Sequence, residues 1–99
     1  MPYRFKAKAS TQTADAIIHT GACYFKGFLA MPDGTNDLTI TVYDGIDATG
    51  TQITPAMTFA GDEGPVGWPT PVKVLCETGI YVDITTAGTA EYTVYYDRD

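Results

Sequence analysis

Hydrophobic and polar residues alternate with a period of two along most of this chain, which is the pattern of half-buried β-strands. In residues 38–43, Leu, Ile and Val project to one face of an extended strand, while Thr and Tyr project to the other. Residues 71–76, 80–84 and 92–96 repeat the alternation, and no 3.6-residue stripe competes with it. We therefore predict an all-β chain.

In residues 23–29, the same alternation divides the side chains between an inward and an outward face. Cys23 falls on the inward face, and Cys76 falls on the inward face of a later strand. The pair is compatible with facing sheets, either as reduced core thiols or as a disulfide that closes a long loop. In this segment the inward set is Cys23, Phe25, Gly27 and Leu29, and the outward set is Tyr24, Lys26 and Phe28.

Turn-rich stretches separate these strands and indicate the architecture. Pro55 makes the strand around it an edge strand or a bulged one. Residues 79–85 and 90–96 are predicted to form a β-hairpin around a short Gly-containing turn. Seven or eight antiparallel strands in 99 residues predict a two-sheet β-sandwich, either jelly-roll or immunoglobulin-like. The weaker strand candidates are residues 3–9, 16–20 and 51–59.

The charge distribution divides the chain into two parts, residues 1–10 and a single β-sandwich domain over residues 11–99. The net charge of −6 argues against nucleic-acid binding, which needs a positive surface. Half of the six basic residues are Arg4, Lys6 and Lys8, which alternate onto one face of the first segment. Residues 1–10 are therefore a basic N-terminal arm or edge strand. The arm either docks on an acidic neighbouring protein or on another copy of the chain, or it is an edge strand whose charges prevent aggregation.

Hydropathy and the start of the chain bear on its location. The longest apolar runs contain only a few residues, far fewer than the ~20 that a membrane-spanning helix needs, so we expect no membrane partner. The N-terminus carries no basic-then-apolar leader. We therefore expect the chain to be made and used without secretion.

Residues that could carry catalysis or bind a metal are few. A serine or cysteine hydrolase would need His19, the only histidine, as a base beside Ser10 or Cys23, and the spacing disfavours both pairs. We expect His19 to be a partly exposed strand residue. Acidic turns such as residues 44–47 could chelate calcium, but an Asp-Gly turn is the simpler interpretation. We predict no enzyme, no metal site and no cofactor.

Aromatic side chains supply most of the candidate interfaces. Residues 59–71 form a connection rich in Pro and Gly, in which Trp68 is either an interface anchor or a cap on the core. Five further aromatic residues, Tyr43 among them, are predicted on outward faces, which implies a contact with a partner. The candidate interface residues are Arg4, Lys6, Lys8, Tyr24, Phe28, Trp68, Tyr81 and Tyr95.

The order of motifs in the second half of the chain resembles a known class of proteins. Residues 38–45 (LTITVYDG) are followed by residues 78–84 (TGIYVDI), by a turn at residues 86–90 (TAGTA), and by a closing strand at residues 92–96. This order is similar to that of small β-sandwich virion proteins of tailed bacteriophages, of the capsid decoration (cement) type. The similarity covers residues 17–96.

The resemblance implies a non-enzymatic structural role. A decoration protein binds and stabilises the coat shell, so the implied partner is the major capsid protein or another virion protein. The implied location is the capsid surface, after synthesis in the cytoplasm of the bacterial host. The resemblance also implies a homo-oligomer, for which we expect a trimer. The alternatives are a head–tail, tail or fibre-base component, and a carbohydrate-binding β-sandwich module that stacks sugar rings on Trp68 and Tyr81.

Overall fold

The computed structural model describes residues 8–67 and 73–98. In these ranges the chain forms ten β-strands and no helix, which confirms the all-β prediction. The described residues accordingly include no helix that is long and apolar enough to cross a membrane. The strands are β1 (Lys8–Gln12), β2 (Ala16–Thr20), β3 (Cys23–Pro32), β4 (Leu38–Asp44), β5 (Thr51–Gln52), β6 (Met57–Phe59), β7 (Val66–Gly67), β8 (Val74–Cys76), β9 (Gly79–Thr86) and β10 (Ala90–Asp97).

The strands form two antiparallel sheets that pack face to face. Sheet A has the order β1-β10-β3, and both β7 and β8 pair with the far edge of β3. Sheet B has the order β2-β9-β4, and both β5 and β6 pair with the far edge of β4. The two-sheet sandwich is therefore confirmed, while the ten strands exceed the predicted seven or eight.

The count is higher because two short strands of the described ranges share the outermost position of each sheet. On sheet B the ladder stops between β5 and β6, where Pro55 has no N–H to donate. Thr54 spans this break: its Oγ1 accepts the Val42 N–H and donates to the Pro55 carbonyl, both at 3.1 Å. The prediction that Pro55 marks an edge strand is confirmed, with an interruption where the proline lies.

The predicted hairpin of β9 and β10 is wrong. β9 lies between β2 and β4 in sheet B, whereas β10 lies between β1 and β3 in sheet A. The short turn between them therefore crosses from one sheet to the other, and Asp33 Oδ2 holds it by accepting the Thr89 N–H at 3.1 Å. Alternation shows that each strand buries one face, but it does not determine which strand lies beside it, so local sequence could not exclude the hairpin.

A β-bulge interrupts β3 at Lys26. Tyr95 of β10 pairs with Gly27, whereas the next residue, Tyr96, pairs with Phe25, so β3 contains one additional residue over this step. Gly27 has a φ of 123°, a left-handed value that glycine adopts at little cost.

The bulge reverses the faces of the second half of β3. Beyond it, Phe28 is only 3% exposed, while Leu29 is 48% exposed. The predictions of an outward Phe28 and an inward Leu29 are both wrong, because strict alternation does not allow for the inserted residue. Phe28 therefore belongs to the core and is not a surface residue of the isolated chain.

The core fills the space between the sheets and includes both cysteines. Tyr92 is buried in it, and its hydroxyl donates to the Ala14 carbonyl at 2.7 Å. Cys23 and Cys76 are buried as free thiols, and they are direct neighbours within sheet A instead of facing each other across the two sheets. The remaining buried hydrophobic residues are Phe25, Phe28, Ala30, Leu38, Ile40, Val42, Val66, Ile80, Val82, Ala90 and Val94.

Candidate interaction surfaces

The outward face of sheet A presents large apolar side chains to solvent. We call it the sheet A face. Leu29, Met31 and Leu75 are each about half exposed, at 48%, 49% and 53%. The register places Leu75 beside Tyr24 and Leu29 beside Thr93, so these side chains lie on one continuous surface. An apolar surface of this kind on a small domain is typical of an interaction site.

Charged groups lie at both ends of the sheet A face. At one end the Lys73 ammonium lies 4.6 Å from the centre of the Tyr24 ring, a cation–π contact. Lys26 and Asp97 form an ion pair at 3.7 Å near the same end. At the other end Glu91 is exposed next to Met31, its cross-strand partner. The face therefore has a basic, aromatic end and an acidic end.

The basic residues of the described ranges all belong to the sheet A side. Lys8 begins β1, Lys26 lies in β3, Lys73 precedes β8 and Arg98 follows β10. No strand of sheet B contains Lys or Arg. Most of the acidic turns join one sheet to the other, as at Asp33 between β3 and β4 and at Glu77 between β8 and β9. The basic residues, and not the acidic ones, therefore distinguish the two sheets.

The outward face of sheet B carries the second group of candidate residues, and we call it the sheet B face. Tyr43 and Tyr81 are cross-strand partners with ring centroids 6.2 Å apart. Ile17, the partner of Tyr81 on β2, is 51% exposed. Burial raises the pKa of Asp83, and the neighbouring Asp15 carboxylate raises it further. This face therefore combines aromatic rings with two adjacent carboxyl groups.

The structure distributes the predicted interface residues unevenly. Tyr24 and Tyr95 lie half-buried on the sheet A face, and Tyr81 lies half-buried on the sheet B face. Phe28 is buried, as described above. Arg4, Lys6 and Trp68 lie outside the described residues, and of Lys8 the structure describes the backbone at the start of β1.

His19 and Ser10, which were considered as a catalytic pair, lie in different sheets. His19 is half-buried in sheet B, with its ring 5.5 Å from that of Tyr96. Ser10 lies in β1 of sheet A, where its hydroxyl accepts a hydrogen bond from the Gln12 side chain at 3.0 Å. Over residues 8–67 and 73–98, no group of three or more His, Cys, Asp or Glu side chains is arranged to hold a metal ion.

The acidic turns use their carboxylates to hold the backbone. Asp33 accepts the N–H groups of Thr35 and Asn36, and these bonds hold its pKa well below the usual range. Asp44 accepts three backbone N–H groups from the turn before β9. These contacts match the interpretation of the acidic segments as turns.

Comparison of the chain with protein-family models, with curated proteins and with solved structures found no match in any of the three.

Sequence reasoning missed the apolar residues that define the sheet A face. Leu75 could have been predicted to face outward, because it lies between Val74 and Cys76, whose side chains face inward. Leu29 and Met31 could not be assigned to this face by alternation, because their orientation depends on the bulge at Lys26. The one available signal was Gly27, since glycine inside a strand often marks a bulge.

Proposed function

We propose that the chain is a non-enzymatic structural protein of a tailed-phage virion, of the capsid decoration type, which binds and stabilises the coat shell. The observation that carries this proposal is the sheet A face. Leu29, Met31 and Leu75 expose apolar surface on a domain that has enough core to fold, which supports a protein whose output is contact with other proteins. The resemblance over residues 17–96 supplies the phage context.

We further infer that the sandwich is a jelly roll and not an immunoglobulin-like sandwich. We count β5 with β6 as one strand position and β7 with β8 as another, and we number the eight positions in chain order. Sheet A then has the order 1-8-3-6, and sheet B has the order 2-7-4-5. β1 and β2 then lie in different sheets, whereas the first two strands of an immunoglobulin domain share one. Jelly rolls occur in viral capsid proteins and in lectins, so this topology is compatible with the proposed role but does not establish it.

The basic N-terminal segment is the proposed contact to the coat. Arg4, Lys6 and Lys8 lead into β1, which is the free edge strand of sheet A in the described part of the chain. A cluster of three positive charges on an acidic body would direct the protein to an acidic surface and fix its orientation there. Such a contact weakens as salt screens it.

The test is co-sedimentation of the chain with shells assembled from the major coat protein encoded in the same gene cluster. We expect saturable binding that weakens between 50 and 500 mM salt, roughly the range in which the Debye length falls below 10 Å. Replacing Arg4, Lys6 and Lys8 by Gln should abolish binding. Lys26→Gln, in β3 and separated from β1 by β10, should retain it.

Two results would contradict the proposal. If the chain fails to sediment with the shells at low salt, it is not a decoration protein of that capsid. If the triple Gln variant binds as well as the unsubstituted chain, the contact lies elsewhere. Labelling of purified virions with an antibody then distinguishes a coat position from a head–tail, tail or fibre-base position.

A carbohydrate-binding module is the second candidate, and the sheet B face favours it. Tyr43 and Tyr81 offer ring faces for a sugar, while Asp15 and Asp83 beside them could accept hydrogen bonds from hydroxyl groups. Glycan-array binding that disappears in Tyr81→Ala and persists in Tyr24→Ala would favour this function. Absence of binding to any glycan would remove it.

A further inference from the structure

We propose that the sheet A face is covered by the sheet A face of a second copy, in a two-fold symmetric dimer. This inference deepens the proposed function and rests on it, because it names the partner that covers the sheet A face. The coat contact uses the basic N-terminal segment, so the two contacts can fail separately. The inference also replaces the trimer expected from the resemblance with a dimer. Three features of the face support the dimer: its dimensions, its apolar residues and the order of its charges.

The strands set the dimensions of the face. β3 and β10 pair over eight residues, a length of about 25 Å at about 3.3 Å per residue. Four strand positions side by side span about 19 Å at about 4.8 Å each. A plane of these dimensions covers about 475 Å², a little more than half of the roughly 800 Å² that each partner buries in a standard protein interface. The dimer is therefore expected to be weak and to dissociate on dilution.

The apolar residues are distributed so that a two-fold axis brings them together. Leu29 lies next to the middle of β3, while Leu75 and Met31 lie toward opposite ends of the face. A two-fold axis that lies in the interface plane and runs across the strands at the middle of the face brings Leu75 of each copy to Met31 of the other. The same axis brings the two Leu29 side chains close together. One interface would thus cover all three half-exposed residues of this face.

The charges are complementary in the same arrangement. Lys73 lies at the Tyr24 end of the face and Glu91 lies at the Met31 end. Within one copy the two ends are separated by six residues along β10, or about 20 Å, so Lys73 and Glu91 do not neutralise each other. A two-fold axis brings Lys73 of each copy to Glu91 of the other. The interface then contains two such ion pairs, as an isologous contact requires.

Other pairings match less well. Two sheet B faces would bring the Asp15 and Asp83 carboxyl groups of one copy toward those of the other, which costs free energy through repulsion. If the sheet A face of one copy packed on the sheet B face of another, the pair would still expose one face of each type. Further copies would then add at both ends and form a stack, because the two faces of a copy point in opposite directions. The two-fold arrangement closes after two copies.

The first test is the mass of the full chain by sedimentation velocity, over a hundredfold range of concentration. We expect a dimer of twice 10.7 kDa that dissociates on dilution. Leu75→Glu and Met31→Glu should each yield a monomer with an unchanged circular-dichroism spectrum. The matched control is Ile17→Glu, which places the same charge on an equally exposed residue of the sheet B face and should remain dimeric.

A charge-exchange series tests the orientation of the two copies. Lys73→Glu and Glu91→Lys should each raise the dimer Kd about tenfold, since each creates two like-charged contacts. The double variant should return the Kd to near its original value. This recovery is specific for a contact between copies, because the two residues are far apart within one copy.

Three outcomes would overturn the inference. The first is a chain that stays monomeric at every concentration. The second is an oligomer that Leu75→Glu leaves intact or that Ile17→Glu dissociates. The third is a double charge variant that binds no better than the single variants. None of these outcomes bears on the co-sedimentation with coat shells, and loss of coat binding in the triple Gln variant does not bear on the dimer.

Discussion

Cys23 and Cys76 lie directly opposite each other on β3 and β8, and both side chains are buried as free thiols. Burial, together with the neighbouring Cys23 and Asp44, raises the pKa of the Cys76 thiol to about 12. Burial also raises the pKa of Cys23. An exposed thiol has a pKa of about 8.5. Both buried thiols therefore remain protonated at pH values at which an exposed thiol already ionises.

We predict that this thiol pair makes the fold sensitive to alkaline pH. As pH rises above about 8.5, the unfolded chain releases its thiol protons while the folded chain retains them, so the free energy of unfolding falls between about pH 8.5 and 12. Urea unfolding at several pH values measures this slope. A Cys23→Ala, Cys76→Ala variant should be less stable at pH 7 but should lose stability less steeply above pH 8.5. Equal slopes would show that the thiols do not carry the effect.

Phe28 and Leu29 provide a matched pair for testing the bulge. Phe28→Ala should lower the free energy of unfolding by about 3–5 kcal/mol, because it empties a buried position. Leu29→Ala should cost less than about 1 kcal/mol in the monomer, because its side chain is half exposed. Urea unfolding at low protein concentration measures both. Comparable losses for the two variants would mean that the faces of β3 are assigned incorrectly.

Gly27 should be intolerant of a side chain. Its φ of 123° is a left-handed value, so Gly27→Ala should cost about 1–3 kcal/mol in backbone strain. The measurement is the midpoint of thermal unfolding. A Lys26→Arg variant is the control, because it changes the neighbouring side chain but keeps the positive charge beside Asp97. A Gly27→Ala variant as stable as the unsubstituted chain would argue against this backbone conformation.

We expect the hydroxyl group of Thr54, and not the size of its side chain, to stabilise the fold. Thr54→Val keeps the shape but removes the acceptor for the Val42 N–H inside the sandwich, which should cost about 1–3 kcal/mol. Thr54→Ser keeps the hydroxyl and should cost less. Urea unfolding of the two variants tests this order, and the reverse order would show that packing of the methyl group dominates.

Asp44 should contribute stability that is lost in acid. Partial burial opposes its ionisation, but the N–H groups of Glu77, Thr78 and Gly79 outweigh this and hold its pKa below the ordinary value. Its contribution is therefore present above about pH 4 and disappears as pH falls through the lowered pKa. Asp44→Asn should cost about 1–2 kcal/mol at pH 7, allowing for solvent screening, and almost nothing in strong acid.

The matched control for Asp44 is Asp62, an exposed carboxylate in the turn between β6 and β7. Asp62→Asn should leave the acid dependence of unfolding unchanged. The measurement is the urea midpoint between pH 2 and 7 for both variants. If Asp44→Asn loses as much stability at pH 2 as at pH 7, its hydrogen bonds do not depend on the charge of the carboxylate.

Local pattern predicted the strands because the information for each lies within the strand itself. Residues 38–43, 80–84 and 92–96 alternate regularly, and all three fall inside long strands of the structure, β4, β9 and β10. Pro55 was correctly associated with an edge, since a residue without an N–H is excluded from a central ladder. The inward positions of Cys23 and Cys76 were also predicted correctly.

The surface that carries the proposed dimer was less predictable. Tyr24 and Tyr95 were expected to face outward and do so, but Leu29 and Phe28 were assigned to each other's faces. One additional residue in β3 reverses every side chain after it, because strand faces alternate with a period of two. Whether a glycine marks such a bulge depends on the register of the neighbouring strand, which the segment itself does not contain.

The sequence by itself determined that the chain forms antiparallel strands with apolar faces, that its basic residues cluster at the N-terminus, and that its turns are acidic. Those properties arise from neighbours along the chain, so alternation, proline and charge reveal them. The tertiary structure alone decided that β9 and β10 belong to different sheets, that Cys23 lies beside Cys76, and that Leu29, Met31 and Leu75 share one exposed face. Each of these depends on pairing between segments far apart in sequence, where burial of the whole core selects the partners.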